Sequence, residues 1–501
     1  MNVVFRSDSS VYIGTGHVMR CLALATAMKE HGYSVSFACM PSKNDLIGLI
    51  RARGFEVICL SRPLVEVVPE HDEDYQAWLQ RSQEEDAQDF IRQVREVDIV
   101  VTDHYAIDYV WQRKVKDILD CKLIAIDDLV RTHYADLLID QSLGRNVSEY
   151  IGIDMVLAGS DYAILSSEFP AAREISFDKC TPSHPLKVLI SMGGVDAKNV
   201  TLHILQSLIG KLEASFTVLL SPRAPNYHSV VEWCKEHSQV EHFDFINDMP
   251  TLLLKSDIAI GAPGTSSWER ACLGLPSVII PIAGNQINIS NQLASRNAAI
   301  VVDKEKIQST LVPACENLVE NWRKIYKSSI KICDGRGTTR IILKINEMIG
   351  RSAKPKIKLT CATSNDTKVV FDWQCDPRTR MYALNKDAPS WIDHQAWMLT
   401  KLESHSDFFF IINSESSGSR VGGLRLDRQS KGNYLISIFI APSFYGHGFA
   451  LEALKYISKI FLDLNLYAVV LEANHASQKL FEKAGFSRVS SEKFIRKSIG
   501  V

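Results

Sequence analysis

Hydrophobic and polar positions follow two patterns along this chain, and the change between them divides it. Through residues 1–165, short apolar runs alternate with stretches whose apolar residues recur at helical spacing. Val3 to Phe5, Val35 to Ala38, Asp98 to Thr102 and Leu123 to Ile126 read as strands, and His17 to Lys29 and Asn44 to Arg53 as helices. Near-continuous apolar runs suit a parallel sheet covered on both faces. Residues 66–95, rich in Glu, Asp and Gln, predict a solvated helix over that sheet. The pattern restarts near residue 186, with strands at Val188 to Ile190, Phe216 to Leu220, Ile258 to Ile260 and Val278 to Ile280, and a helix from about Asn199. A helical segment over roughly 314–349 closes this second region. Residues 351–357 read as a linker, and beyond it the strands lengthen and look antiparallel: Phe408 to Ile412, Val421 to Leu426, Tyr434 to Ile440 and Ala468 to Leu471. The expected class is α/β: two Rossmann-like domains, 1–165 and 166–350, then a mixed α/β domain, 351–501.

Length agrees with several domains, since 501 residues exceed what one core supports. A net charge of −2 gives no basic field for nucleic acid or an anionic membrane, so neither partner is expected. No apolar h-region opens the chain, and no apolar stretch is long enough to span a bilayer. The 11 cysteines are scattered and form no CxxC pair. Free thiols in a reducing cytoplasm are expected, with neither disulfides nor zinc.

Candidate chemistry sits in the turns that follow strands. The strand ending at Phe5 leads through Arg6-Ser7-Asp8-Ser9-Ser10 to Ile13-Gly14-Thr15-Gly16-His17, where a helix begins. Gly14 and Gly16 would allow backbone conformations closed to other residues. The helix start would offer free N–H groups to a phosphate or sugar oxygen, at the carboxyl end of the sheet. His17 is the candidate base and Asp8 the acid that would orient it. By spacing alone, a glycine-rich turn carrying a structural histidine fits equally well. In the second region, Ser191-Met192-Gly193-Gly194-Val195-Asp196 and Gly261-Ala262-Pro263-Gly264-Thr265-Ser266-Ser267-Trp268-Glu269 both follow strands and open helices, as phosphate-binding turns do. Glu269 suits two ribose hydroxyls, although a first-turn helix acid is explained by the dipole as well. Pro281 to Gln286 lies at the edge of the same cleft.

Taken in order with Thr102-Asp103-His104-Tyr105 and Asp127-Asp128, these motifs resemble the PseG family, the UDP-2,4-diacetamido-2,4,6-trideoxy-β-L-altropyranose hydrolases of pseudaminic acid biosynthesis, over about residues 1–345. The resemblance implies a GT-B fold with the active site between two Rossmann-like domains. It implies that His17 activates water at the anomeric carbon with Asp8 beside it. Arg6, Gly16, Tyr105, Asn285 and Gln286 would contact sugar or water, and Gly194, Ser266 and Glu269 the nucleotide. No metal is expected. Where the family commonly has an arginine this chain has Ser166. A glycosyltransferase with an accessory or non-catalytic third domain is the alternative, since the same architecture transfers sugars.

In the third region, Ser437 to Ala450 is a strand, a loop of small residues and a helix start, suited to a pyrophosphate. With Asn474-His475-Ala476-Ser477-Gln478-Lys479-Leu480-Phe481-Glu482-Lys483-Ala484-Gly485-Phe486 it resembles the GNAT N-acetyltransferases over about 357–497. That implies acetyl-CoA as co-substrate, held by Ile440, Tyr445, Gly446, His447, Gly448, Phe449, Ala450, Asn474 and Ser477. Two departures stand out. Tyr445 replaces the loop's usual Arg or Gln, and Phe481 stands where a tyrosine often serves as general acid. The segment Asp372 to Arg380 is similar to the substrate side of acetyltransferases that act on amino sugars, so a UDP-linked amino sugar is the expected acceptor.

Overall fold

The computed structural model describes residues 1–71, 73–182, 184–353 and 356–499. The chain forms two compact units, Met1–Ile349 and Gly350–Val501. Of the expected linker, Lys354 and Pro355 lie outside the described residues.

The first unit holds two parallel sheets. One orders its strands β3-β2-β1-β4-β5-β6-β7, from β1 (Asn2–Arg6), β2 (Ser34–Cys39), β3 (Glu56–Cys59), β4 (Ile99–Thr102), β5 (Lys122–Ile126), β6 (Leu137–Asp140) and β7 (Val156–Ala158). The other orders them β10-β9-β8-β11-β12-β13, from β8 (Leu186–Ser191), β9 (Ala214–Leu219), β10 (Val240–Phe243), β11 (Ile258–Gly261), β12 (Ser277–Ile279) and β13 (Ile300–Val301). Tandem sheets of this kind form a GT-B fold. Both orders reverse beside their first strand, at β1/β4 and at β8/β11, and such switch points open a crevice at the carboxyl ends of the strands. Register carries loops into that crevice: Arg6 pairs with Thr102, and Ser191 with Gly261.

The closing helical segment is three helices, Ile307–Glu320, Trp322–Ser329 and Gly337–Met348. Ile341, Ile342 and Ile345 of the last are buried among Val3, Phe5, Leu24 and Ile124, in the core of the first sheet. The chain therefore crosses back, and a boundary at 350 gives the second domain a helix that packs on the first. Thr338 fastens the crossing, its hydroxyl donating to the Leu165 carbonyl at 2.7 Å while accepting from the Leu165 amide at 3.1 Å.

The acidic stretch 66–95 departs from expectation. It forms two helices, Tyr75–Trp78 and Gln83–Gln93, and Asp86 and Asp89 of the second are buried. Arginines draw them inward: Arg6 and Arg81 bind Asp86, and Arg81 also binds Asp89.

The second unit is one mixed sheet, β14-β15-β16-β17-β18-β20-β19, from β14 (Ile357–Cys361), β15 (Phe408–Ser414), β16 (Arg420–Ser430), β17 (Asn433–Ile440), β18 (Asn465–Val469), β19 (Ser487–Arg488) and β20 (Lys493–Arg496). Its parallel pair, β17 and β18, is joined only over Asn433–Leu435 and Asn465–Tyr467. The rest of β17, toward Ile440, has no partner in β18 and turns instead into the loop before helix Phe449–Ile460. The strand expected at Ala468 to Leu471 ends at Val469, because its register is set by β20.

Gly337, the first residue of the crossing helix, lies so close to Ala163 that a Cβ would run into its backbone nitrogen and carbonyl oxygen. Gly337→Ala is expected to destabilise the first unit by about 1–3 kcal/mol, the range for overpacking. Urea denaturation would check this against Gly48→Ala, where a Cβ meets nothing within 4 Å.

Candidate active sites

The loop after β1 begins with a buried ion cluster. Arg6, expected to touch substrate, is fully buried, its guanidinium 2.7 Å from Asp8 Oδ1 and donating to both Asp86 oxygens at 3.1 and 2.9 Å. Asp86 also accepts from the Trp111 indole at 2.8 Å. Arg6 is therefore structural. Asp8 is corrected with it: it accepts from the Met40 amide at 2.8 Å and lies 3.6 Å from His104 Nε2, so it does not orient His17. Two residues apart on extended backbone, the side chains of Arg6 and Asp8 meet, and a buried cation draws the nearest acid.

The partner of His17 is Asp103, just past β4 at the switch point. His17 Nδ1 lies 2.6 Å from Asp103 Oδ1. Arg20, one helical turn beyond His17, donates to the same carboxylate through Nε at 2.6 Å and a terminal nitrogen at 2.7 Å. Burial alone would raise the Asp103 carboxyl, but the Arg20 charge and then His17 reverse this and hold it far below the usual range. An ionised carboxylate only accepts, so Nδ1 carries the proton and donates. In the neutral imidazole Nε2 is then the lone pair, and it makes no hydrogen bond among the described residues. The Tyr105 ring meets the imidazole edge-on at 4.6 Å, with Trp78 stacked on Tyr105 at 5.6 Å. Trp78 was passed over in sequence because a four-residue helix leaves no periodic signal.

Neither Gly14 nor Gly16 has a positive φ, and a Cβ at either meets nothing within 4 Å. The backbone reason expected for them is thus absent. Gly194 does show close approach: a Cβ there would lie 2.5 Å from the Thr15 methyl, so the turn after β8 abuts the His17 loop. Gly193 before it has φ +94°. Asn285 reaches the same cleft, its amide donating to the Tyr105 hydroxyl at 3.3 Å. Gln286 spends its carbonyl oxygen on the Ile282 amide at 2.8 Å, which shapes the loop.

On the turn after β11, the Ser266 hydroxyl lies 3.3 Å from the Arg270 guanidinium, which also binds the Ala262 carbonyl and Ser267. Arg270, missed in the sequence, places a buried cation behind this turn; it follows Glu269 directly, on the face turned inward. Burial drives the Glu269 carboxyl up to about 7, against a weaker pull from Arg270.

In the second unit, the loop after Ile440 is exposed, with Gly446 and Gly448 at φ +80° and +84°; Gly448 caps helix Phe449–Ile460, which Ala450 continues. The Tyr445 hydroxyl lies 3.3 Å from Thr379 Oγ1, and His447 Nδ1 3.0 Å from the Tyr445 carbonyl. Asn474 caps the helix His475–Lys483 by accepting from the Ser477 amide at 3.1 Å, so both are engaged locally. Phe481 is buried against Phe486 and Phe494.

Residues 183–336 match the glycosyltransferase family 28 C-terminal domain, and residues 356–487 the acetyltransferase (GNAT) domain. The chain fuses a glycosyltransferase-28-like unit to a GNAT domain. An uncharacterized protein of Methanocaldococcus jannaschii is 23% identical over 97% of this chain and 97% of its own. The UDP-2,4-diacetamido-2,4,6-trideoxy-beta-L-altropyranose hydrolase of Campylobacter jejuni is 26% identical, over 59% of this chain and 97% of its own. The spore coat polysaccharide biosynthesis protein SpsG of Bacillus subtilis is 21% identical, over 70% and 98%. The two latter proteins align along nearly their full lengths, yet each leaves a substantial part of this chain unmatched. Among the described residues of both domains, no helix is long and apolar enough to cross a membrane, and no two cysteines are joined in a disulfide.

Glu269 makes a pH prediction for the glycosyltransferase-28-like unit. Its folded pKa, about 7, lies above the unfolded value of about 4.3. The folded state then binds the extra proton, so this contribution is full below pH ~4.3 and lost as pH rises through 7. Glu269→Gln, which cannot ionise, should gain stability relative to wild type between pH 5 and pH 8, read by urea denaturation at each pH.

Proposed function

We propose that the chain is a bifunctional nucleotide-sugar enzyme of pseudaminic acid biosynthesis. Its first unit hydrolyses UDP-2,4-diacetamido-2,4,6-trideoxy-β-L-altropyranose to free sugar and UDP. Its GNAT domain N-acetylates the 4-amino group of the precursor UDP-sugar with acetyl-CoA. The base would lie in residues 1–165 and the nucleotide site in 166–350. The observation that carries the hydrolase reading is the 2.6 Å His17–Asp103 contact, which leaves Nε2 without a hydrogen-bond partner among the described residues and, in the neutral ring, as the lone pair. The Campylobacter relative supports the substrate.

In this mechanism Nε2 takes a proton from water as the water oxygen bonds to the anomeric carbon. The bond from that carbon to the UDP oxygen breaks, and UDP leaves with the electron pair. Asp103, fixed by Arg20, stabilises the imidazolium that forms. Tyr105 and Asn285 would position the water or the sugar. On the other side of the cleft the turns at Gly194 and Ser266 would take the diphosphate, with Arg270 behind them, and Glu269 the ribose hydroxyls. UDP is a good leaving group, so positioning and proton removal suffice.

In the GNAT domain, the N–H groups of Tyr445 to Ala450 at the start of helix Phe449–Ile460 suit a pyrophosphate. The end of β17 that runs beyond β18 would offer backbone amides on its β18 side to the acetyl carbonyl. There the neutral amine attacks the carbonyl carbon, the C–S bond breaks, the nitrogen gives up one proton and the departing thiolate takes one. Phe481, apolar and buried, cannot supply that proton.

The family 28 match favours a second reading, in which a sugar acceptor replaces water. Mass spectrometry of the products from the UDP-4-amino-sugar and acetyl-CoA, with no acceptor, separates the two. Wild type is expected to add one acetyl group and release free sugar and UDP. His17→Ala should stop at the acetylated UDP-sugar, and Asp103→Asn should slow UDP release by about 10²- to 10⁴-fold, the range for a positioned base. Strict acceptor dependence, or undiminished release by His17→Ala, overturns the hydrolase reading.

A further inference from the structure

Asp128, in the loop after β5, joins the two halves of the first-sheet site, and the roles assigned so far do not use it. Arg20 donates to Asp128 Oδ2 at 3.2 Å while its other nitrogens hold Asp103. Asp128 Oδ1 is buried and has no hydrogen-bond partner among the described residues. A buried carboxylate oxygen without a donor is costly, so it stands ready to accept one. A donor that interacts with the Asp128 side chain is the Tyr105 hydroxyl. Burial and then the Asp128 charge push that phenol well up, which keeps its proton in place. A hydroxyl has one hydrogen and two lone pairs. One lone pair of Tyr105 already faces the Asn285 amide at 3.3 Å, so the hydrogen is free to go elsewhere.

We propose that Asp128 is a positioning residue for the attack step: it accepts the Tyr105 hydrogen and so presents the phenol oxygen to the cleft as an acceptor. A water held by that oxygen has its own proton directed into the space beside His17, whose ring the Tyr105 ring meets at 4.6 Å. Arg20 acts on both carboxylates at once. It fixes Asp103 to set the His17 tautomer and Asp128 to set the direction of the Tyr105 hydroxyl. In the sequence Asp128 follows Asp127, which is spent on Arg131 and His133, so adjacent acids do different work.

This inference rests on the hydrolase reading. The test is a double-mutant cycle with Asp128→Asn and Tyr105→Phe in the full chain, measuring kcat and KM for UDP release. Asp128→Asn replaces an acceptor by an amide that can donate to the phenol and turn its hydrogen toward the cleft. Loss of a charge-assisted hydrogen bond predicts a fall in kcat of about 10- to 100-fold, with KM and UDP affinity little changed. In the Tyr105→Phe background the same substitution should have almost no further effect. If it lowers kcat by an equal factor in both backgrounds, if it leaves kcat intact, or if it acts on KM alone, the proposal is overturned. Should the Asn variant unfold, Asp128→Ser enters the same cycle with the same expectations. If wild type releases UDP only with an acceptor, the hydrolase reading falls, and the cycle is then read on acceptor-dependent release.

Discussion

One buried carboxylate organises the first unit's site. Asp103 accepts from Arg20 through both oxygens and from His17 through one. Removing an acid from water is expensive unless its lone pairs are filled, and here they are. Because Arg20 keeps Asp103 ionised, the imidazole must donate through Nδ1, and Nε2 is left without a partner among the described residues. The geometry depends on the sheet order: β1 and β4 are neighbours at the switch point, so residues 86 positions apart arrive side by side. Helical spacing then places Arg20 one turn from His17, against the same acid.

A second charge cluster, behind the first, has a different role. Arg6, Asp8, Asp86, Arg81 and Asp89 neutralise one another with little access to water. The cluster anchors the loop that leads from β1 to His17 and pins the helix Gln83–Gln93 to the sheet. The two networks use the same residue types, and the one around Asp103 meets the aromatic wall through His17, whose ring lies edge-on to Tyr105 with Trp78 stacked beyond it. Which carboxylate meets the imidazole therefore follows from its position in the fold, and its distance from His17 in sequence is a poor guide.

The GNAT domain offers a site of another kind, built from backbone. Its exposed loop before helix Phe449–Ile460 and the end of β17 that runs beyond β18 would present amides, while side chains such as Asn474 are spent on capping. This explains how a loop that lacks its usual Arg or Gln keeps the features of an anion site: N–H groups at a helix start do not depend on the side chain at 445.

Much of the fold was legible because apolar runs and glycine turns are local signals. The two parallel regions, the longer strands of the last, and the turns at His17, Gly194, Ser266 and Gly446 could all be read from residues close together in the chain. Short strands such as β7 and β13 and the helix Tyr75–Trp78 escaped, since two to four residues carry no period. The sequence also placed Asp103-His104-Tyr105 among the candidates, but the acid it pointed to for His17 was Asp8. The choice of acid belonged to the tertiary structure. Asp8 is nearer in sequence but lies beside a buried arginine, whereas β4 beside β1 delivers Asp103 to the imidazole. Sequence alone determined where the turns fall and which residue types they hold. Only the packing of sheets and the pairing of buried charges decided which of those residues meet, because electrostatic partners are chosen by distance and burial in three dimensions.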